Sequence, residues 1–103
     1  MSLTATERIT TCRELQANHN LSGLRRDEIQ HDLGLTLQQL ERTLEMRPTS
    51  DPAVVWLVRD YLERAIRDQG RDPIPFTVLD DSARIAASQW YRLRPPPPAT
   101  RRF

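Results

Sequence analysis

Residues 28–44, with the sequence EIQHDLGLTLQQLERTL, decide the fold of this chain. Leucine and isoleucine recur at helical spacing on both sides of Gly34, and a glycine between two such runs favours a left-handed turn. Thr36 followed by Gln39 has the spacing of a capping box, which marks the start of a helix. The stretch therefore predicts two short helices, over residues 25–33 and 36–46, joined by a tight turn.

This helix pair resembles the helix-turn-helix of bacterial regulators. The apolar residues predicted to hold it together are Ile29, Leu33, Leu35 and Leu40. Two positions depart from the pattern, because Gln30 stands where regulators usually carry alanine and Thr43 stands where a buried aliphatic residue is common. We therefore expect a more open pair than in a typical regulator.

Three further helices complete an all-α prediction of about five helices in a single domain over residues 1–93. Their predicted first residues or caps are Thr4, Asp51 and Thr77. The helix that begins after Asp51 is predicted to run to Gln69 and to form the spine of the core. The inner side of the last helix is predicted to carry Leu79, Ala83, Ala86 and Trp90. Residues 94–103 hold four prolines and three arginines, which favours a flexible tail whose arginines could follow a phosphate backbone.

The composition limits the classes of function. The chain has 103 residues, 15 arginines, no lysine and 14 acidic residues, so its net charge is +1 rather than strongly basic. A single cysteine excludes an intramolecular disulfide and favours a reducing compartment. The longest apolar run is far shorter than the roughly 20 residues that span a bilayer. We therefore expect a cytoplasmic protein with no membrane contact.

The leading hypothesis is a DNA-binding transcriptional regulator, because the second helix of the pair would present polar side chains to the major groove. Its predicted outward face comprises Gln38, Gln39, Arg42, Glu45 and Met46, with Thr36 at the helix start. Glutamine can pair with adenine and arginine with guanine. Arg25 and Arg26 would lie near phosphates. The local charge balance argues against DNA binding, since residues 24–47 hold four arginines and five acidic residues.

The alternative hypothesis is a non-catalytic module that binds another protein through the same outward face or through Trp56. Trp56 and Leu57 lie off the apolar stripe of the fourth helix, and tryptophan is favoured in interface cores. They could form a homodimer contact, or the segment around residues 73–76 could fold back and cover Trp56. The Arg and Asp/Glu residues of this helix pair at i,i+4 spacing, which predicts a solvated face.

Nothing in the residues predicts an enzyme or a cofactor. The chain has no lysine for a Schiff base, no glycine-rich phosphate loop and no nucleophile elbow. Cys12 with His19 or His31 could form a nucleophile and base in principle, but Cys12 lies on an apolar stripe and is better explained as a core residue. The two histidines and Asp32 lack the spacing of a metal site.

Several blocks of the chain are similar to a small bacterial family described only as a domain of unknown function. These blocks are residues 15–18, 33–34, 51–62, 70 and 73–76. The resemblance extends from Ser2 to Trp90 and leaves out the tail. It implies a helical fold with a helix-turn-helix-like pair, and it implies no catalytic or binding residue.

Overall fold

Five α-helices form the regular structure of residues 3–103, which are the residues that this computed structural model describes. In chain order they are α1 (Ala5–Ser22), α2 (Arg26–Leu33), α3 (Leu37–Leu44), α4 (Pro52–Asp68) and α5 (Asp81–Ser88). These residues contain no β-strand, so the predicted all-α fold is confirmed.

The predicted helix starts follow from side chains that satisfy free backbone amides. Thr4 Oγ1 accepts from the Glu7 amide at 3.1 Å, and Glu7 Oε1 accepts from the Thr4 amide at 2.9 Å, which is the predicted capping box of α1. Asp51 Oδ1 accepts from the Ala53 amide at 2.9 Å and begins α4, with Pro52 in the first turn.

The core forms where α4 packs against α1 and α3. The fully buried hydrophobic side chains of these three helices are Leu15, Leu40, Leu44, Val58, Tyr61, Leu62, Ala65 and Ile66. Five of them lie on α4 at helical spacing, as the apolar stripe of that helix predicts. The predicted position of α4 as the spine of the core is confirmed.

The third helix ends two residues before the predicted end. It stops at Leu44, and Met46 adopts a φ of 51°, which is uncommon for a residue with a Cβ. This turn carries the Met46 side chain into the core, where it is buried. The prediction that Met46 lies on the outward face was therefore wrong.

The last helix was predicted with the wrong start, and its predicted inner face is confirmed only in part, because Leu79 is buried and Ala83 packs against the core. Asp80, rather than Thr77, caps α5, while Thr77 donates to Glu14 Oε2 at 2.8 Å across the molecule. Because the helix is shorter, Ala87 becomes its buried residue and Trp90 lies beyond its end with 73% of its surface exposed. Thr77 does not cap the helix because it bonds to Glu14, which is 63 residues earlier in the chain. Local spacing cannot predict such a contact.

Only the later part of the charged face of α4, with Arg64, Arg67 and Asp68, is the solvated surface that its spacing predicts. Arg59 is only 5% exposed, its Nε donates to the Leu79 carbonyl at 3.0 Å and its guanidinium lies 4.6 Å from the centre of the Phe76 ring. Its Nη1 contacts Asp60 Oδ1 at 2.8 Å and Glu63 Oε2 at 3.3 Å. The segment between α4 and α5 therefore covers this arginine.

The residues predicted as a homodimer contact are part of the core instead. Trp56 is 2% exposed and Leu57 is 5% exposed. The guanidinium of Arg84 on α5 lies 4.8 Å from the centre of the Trp56 ring, and that of Arg59 lies 5.6 Å from it. The chain itself therefore covers Trp56, through Arg59 and Arg84 in the recorded contacts, and neither Trp56 nor Leu57 is exposed enough to form a homodimer contact.

The segment predicted as a flexible tail is irregular in structure but docked on the domain. The amide of Thr100 donates to Asp32 Oδ2 at 3.0 Å. Arg101 donates to Glu28 Oε2 at 2.8 Å and to the Gly23 carbonyl at 2.9 Å. The tail is held because its donors meet carboxylates on α2 and a free carbonyl at the end of α1.

Candidate nucleic-acid interface

Helices α2 and α3 are joined by residues 34–36 and pack against each other. Gly34 adopts a φ of 67° and ends α2, and the Leu35 amide then donates to the Gln30 carbonyl at 3.1 Å. The buried residues beneath the pair are Ile29, Leu33 and Leu40, with Leu35 partly buried against them. The four apolar residues predicted to hold the pair together are therefore buried or partly buried.

The predicted reading residues of α3 fall into two groups. Thr36 and Gln39 form a capping box with two hydrogen bonds. Thr36 Oγ1 accepts from the Gln39 amide at 3.1 Å, and Gln39 Oε1 accepts from the Thr36 amide at 2.9 Å. Gln38 and Arg42 are exposed, and within residues 3–103 their side chains have no hydrogen-bond or ion-pair partner. They stand at i,i+4 spacing, so they share one side of the helix.

Thr43, which departs from the helix-turn-helix pattern, satisfies its hydroxyl within its own helix. Thr43 is buried, and its hydroxyl donates to the Gln39 carbonyl at 2.7 Å within the same helix. This bond satisfies the hydroxyl, so a threonine can occupy a position where an aliphatic residue is common.

The two arginines predicted near phosphates are exposed and bound to acidic residues. Arg25 Nε lies 3.1 Å from Asp27 Oδ1, and Arg26 Nη1 lies 3.4 Å from Glu41 Oε1. Exposed pairs of this kind contribute at most about 1 kcal/mol each, so a phosphate could replace the carboxylate as partner. The pairs reduce the positive potential of this surface without removing its donors.

The charges on the surface around Arg42 nearly balance, because Asp51 lines an adjoining depression together with Arg42. Its neighbours Arg26 and Arg47 are matched by Glu41 and Glu45, and Arg47 Nε lies 2.7 Å from Glu45 Oε2. Arg42 is the positive charge left over from these pairs. A shallow depression of about 250 Å³ lies here, lined by Gln38, Glu41, Arg42, Glu45, Arg47 and Thr49.

Asp32 on α2 belongs to the interior rather than to this surface. Its side chain is 3% exposed and accepts from Tyr61 Oη at 2.6 Å and from the amide and hydroxyl of Thr100. Burial acts to raise the pKa of this carboxyl, but the bonds from Thr100 and Tyr61 outweigh it and lower the pKa to about 2. Burial, together with the bond to Asp32, raises the pKa of Tyr61. Sequence reasoning missed this group because its partners are 29 and 68 residues away.

The cysteine and the two histidines have separate partners. Cys12 Sγ contacts the Leu44 carbonyl at 3.4 Å, His19 Nε2 contacts the Leu24 carbonyl at 3.0 Å and His31 Nδ1 lies 3.3 Å from Asp32 Oδ1. Burial lowers the pKa of His19. Across residues 3–103, no group of three or more His, Cys, Asp or Glu side chains is arranged to hold a metal ion.

In the same part of the chain, no helix has the length and apolar character needed to cross a membrane.

No curated protein and no solved structure matches the chain. The model of the family DUF2316, described as an uncharacterized protein conserved in bacteria, matches residues 1–92 and leaves the docked tail outside. The resemblance to a bacterial family of unknown function is thereby confirmed. The chain belongs to the DUF2316 family of uncharacterized bacterial proteins.

Proposed function

We propose that this protein is a cytoplasmic DNA-binding transcriptional regulator whose helix α3 enters the major groove of double-stranded DNA. The observation that carries the proposal is the exposed pair of Gln38 and Arg42, whose donors have no partner within residues 3–103. Side chains of this type and spacing, on a short capped helix that a second helix supports, fit the mode of a recognition helix.

The chemistry of the pair suits base edges. The guanidinium of Arg42 can donate two parallel hydrogen bonds to guanine, and the amide of Gln38 can pair with adenine. The first amides of α3, next to Thr36, can donate to a phosphate. Arg25 and Arg26 then contact the phosphates that flank the groove, where they exchange their exposed acidic partners for the DNA backbone.

The charge balance sets the expected strength of binding. Arg25, Arg26 and Arg42 can neutralise about three phosphates, and each contributes about −0.9 to the slope of log K against log salt. We expect a slope of about −3, which is shallow compared with that of strongly basic regulators. Specific contacts must therefore supply much of the affinity.

Arg42→Ala is expected to weaken binding to a selected duplex by about tenfold or more, since a bidentate base contact is worth about 1 to 3 kcal/mol. The measurement is fluorescence anisotropy with labelled duplexes at about 50 and about 200 mM salt. Arg67→Ala is the matched control, because Arg67 is an exposed arginine on α4 and belongs to neither α2 nor α3. Absence of binding by folded protein at the lower salt, or equal losses in the two variants, would contradict the proposal.

The regulator is proposed to act as a homodimer, and exposed apolar side chains favour α5 and the residues just after it as the contact. Ile85 is 65% exposed and Trp90 is 73% exposed, while tryptophan at the centre of an interface commonly contributes 2 kcal/mol or more. A closed pair of identical chains is the commonest oligomer. The same side chains favour the second candidate function, a non-catalytic protein-interaction module.

Trp90→Ser is expected to raise the dissociation constant of the dimer by at least about tenfold. Sedimentation velocity over a range of protein concentrations measures this constant. Ile9→Ser is the matched control, because Ile9 is 54% exposed on α1. If the wild-type chain sediments as a monomer throughout, the dimer is excluded. A dimer that depends on Trp90 but binds no DNA would make the interaction module the better function.

A further inference from the structure

A cavity of about 160 Å³ lies away from the outward side of α3 and is not used by the function proposed above. Its wall is formed by the start of α1, the segment between α3 and α4, α4 itself and the residues around α5. Most of the residues that line it are apolar, including the buried Met46, Val55, Trp56, Leu79 and Ala87. Burial of apolar ligand surface against such walls is favourable.

The size of the cavity selects the size of the ligand. An apolar protein cavity of about 150 Å³ can hold benzene. A nucleotide or a peptide is far larger than this space. The space therefore fits one six-membered ring, or a short branched chain, against the indole of Trp56 and the side chain of Leu79.

The charged residues that line the cavity favour a ligand with a negative charge. Arg8 and Arg47 both line it, and none of the lining residues is acidic. Arg47 is already matched by Glu45 at 2.7 Å. Arg8 on α1 has no ion-pair partner among residues 3–103 and is only partly exposed. A carboxylate on the ligand would give Arg8 the partner that the chain does not provide.

We propose that this cavity binds a small monocarboxylate with an apolar body about the size of benzene. The carboxylate pairs with the Arg8 guanidinium, and the body lies against Trp56 and Leu79. A cationic ligand is disfavoured by the two arginines, and a neutral one leaves Arg8 unpaired. This inference does not depend on DNA binding. Because Met46 and Arg47 lie in the segment between α3 and α4, a bound ligand touches the segment that leads out of α3.

The test is a titration of the ¹⁵N-labelled full chain with benzoate, observed by NMR. The two tryptophans give two indole resonances, which a Trp90→Phe spectrum assigns. We expect the Trp56 resonance to move and saturate with a dissociation constant of about 1 mM, while that of Trp90 stays in place. Benzyl alcohol, which has the same ring without the charge, is expected to bind at least about tenfold more weakly.

Arg8→Gln is expected to weaken benzoate binding by at least about tenfold and to leave benzyl alcohol unchanged, because it removes the charge only. Arg13→Gln, an exposed arginine on the same helix that does not line the cavity, is expected to match the wild type. The amide spectrum of each variant reports whether it is folded. No saturable shift at Trp56 up to about 20 mM benzoate, or equal effects of the two variants, would overturn the proposal.

Discussion

Arg59→Ala is expected to lower the free energy of unfolding by about 3 kcal/mol, the largest effect that we predict for one polar side chain. The guanidinium is 5% exposed, donates to the Leu79 carbonyl at 3.0 Å and packs on the Phe76 ring. Its removal leaves a cavity between α4 and the segment before α5. It also leaves the Leu79 carbonyl without its donor and takes from Asp60 and Glu63 one of their positive partners.

Urea unfolding at neutral pH, followed by circular dichroism, measures this loss. Arg67→Ala is the control, because Arg67 lies on the same helix but is exposed and should change stability by less than about 0.5 kcal/mol. Arg59→Met keeps much of the apolar stem and is expected to fall between the two. If Arg59→Ala and Arg67→Ala unfold at the same urea concentration, the arginine does not hold α5 and its preceding segment in place.

Acid is expected to remove about 2 kcal/mol of stability through Asp32 alone. The pKa of this carboxyl is about 2 in the folded chain, below the ordinary value near 4 in an unfolded one. A group whose pKa is lower in the folded state stabilises the fold fully above the unfolded pKa. That contribution is lost as pH falls from about 4 to about 2, since the bonds from Tyr61 and Thr100 are weaker to the protonated carboxyl than to the carboxylate.

Unfolding measured between about pH 2 and pH 5 for wild type and Asp32→Asn tests this assignment. Asp32→Asn is expected to be less stable than wild type at pH 5 and to lose less stability on acidification. Asp27→Asn is the control, because Asp27 lies on the same helix with its side chain 70% exposed, and it should follow the wild-type curve in shape. Parallel curves for wild type and Asp32→Asn would show that the carboxylate is not the acid-sensitive group.

Much of the helical structure could be predicted because its signals act within four residues along the chain. The boxes at Thr4 and Thr36 use the residue three positions later, and Gly34 ends α2 by its own backbone preference. The stripe of α4 repeats every three to four residues. The candidate surface followed partly from the same periodicity, which placed Gln38 and Arg42 on the exposed side of α3.

The errors share a different cause. Spacing placed Trp56 on a charged face and placed Arg59 in water, although Arg84 lies over the Trp56 ring and the segment before α5 covers Arg59. Spacing also placed Trp90 on the inner side of a helix that ends before it. A helical periodicity states which residues share a side, but it does not state which later segment will lie over that side.

The sequence by itself determined three things about this protein. These are its all-helical fold and its family, the caps that start α1, α3 and α4, and the apolar stripe around which the core forms. Only the tertiary structure decided the partners across the chain. Asp32 meets Thr100 after 68 residues and Arg59 meets Leu79 after 20, and the cavity beside Arg8 exists only where four segments converge. Local signals lower the free energy of one helix at a time, whereas these contacts depend on the packing of all helices at once. The physical reason is that a buried charge is stable only where the whole fold supplies its partner.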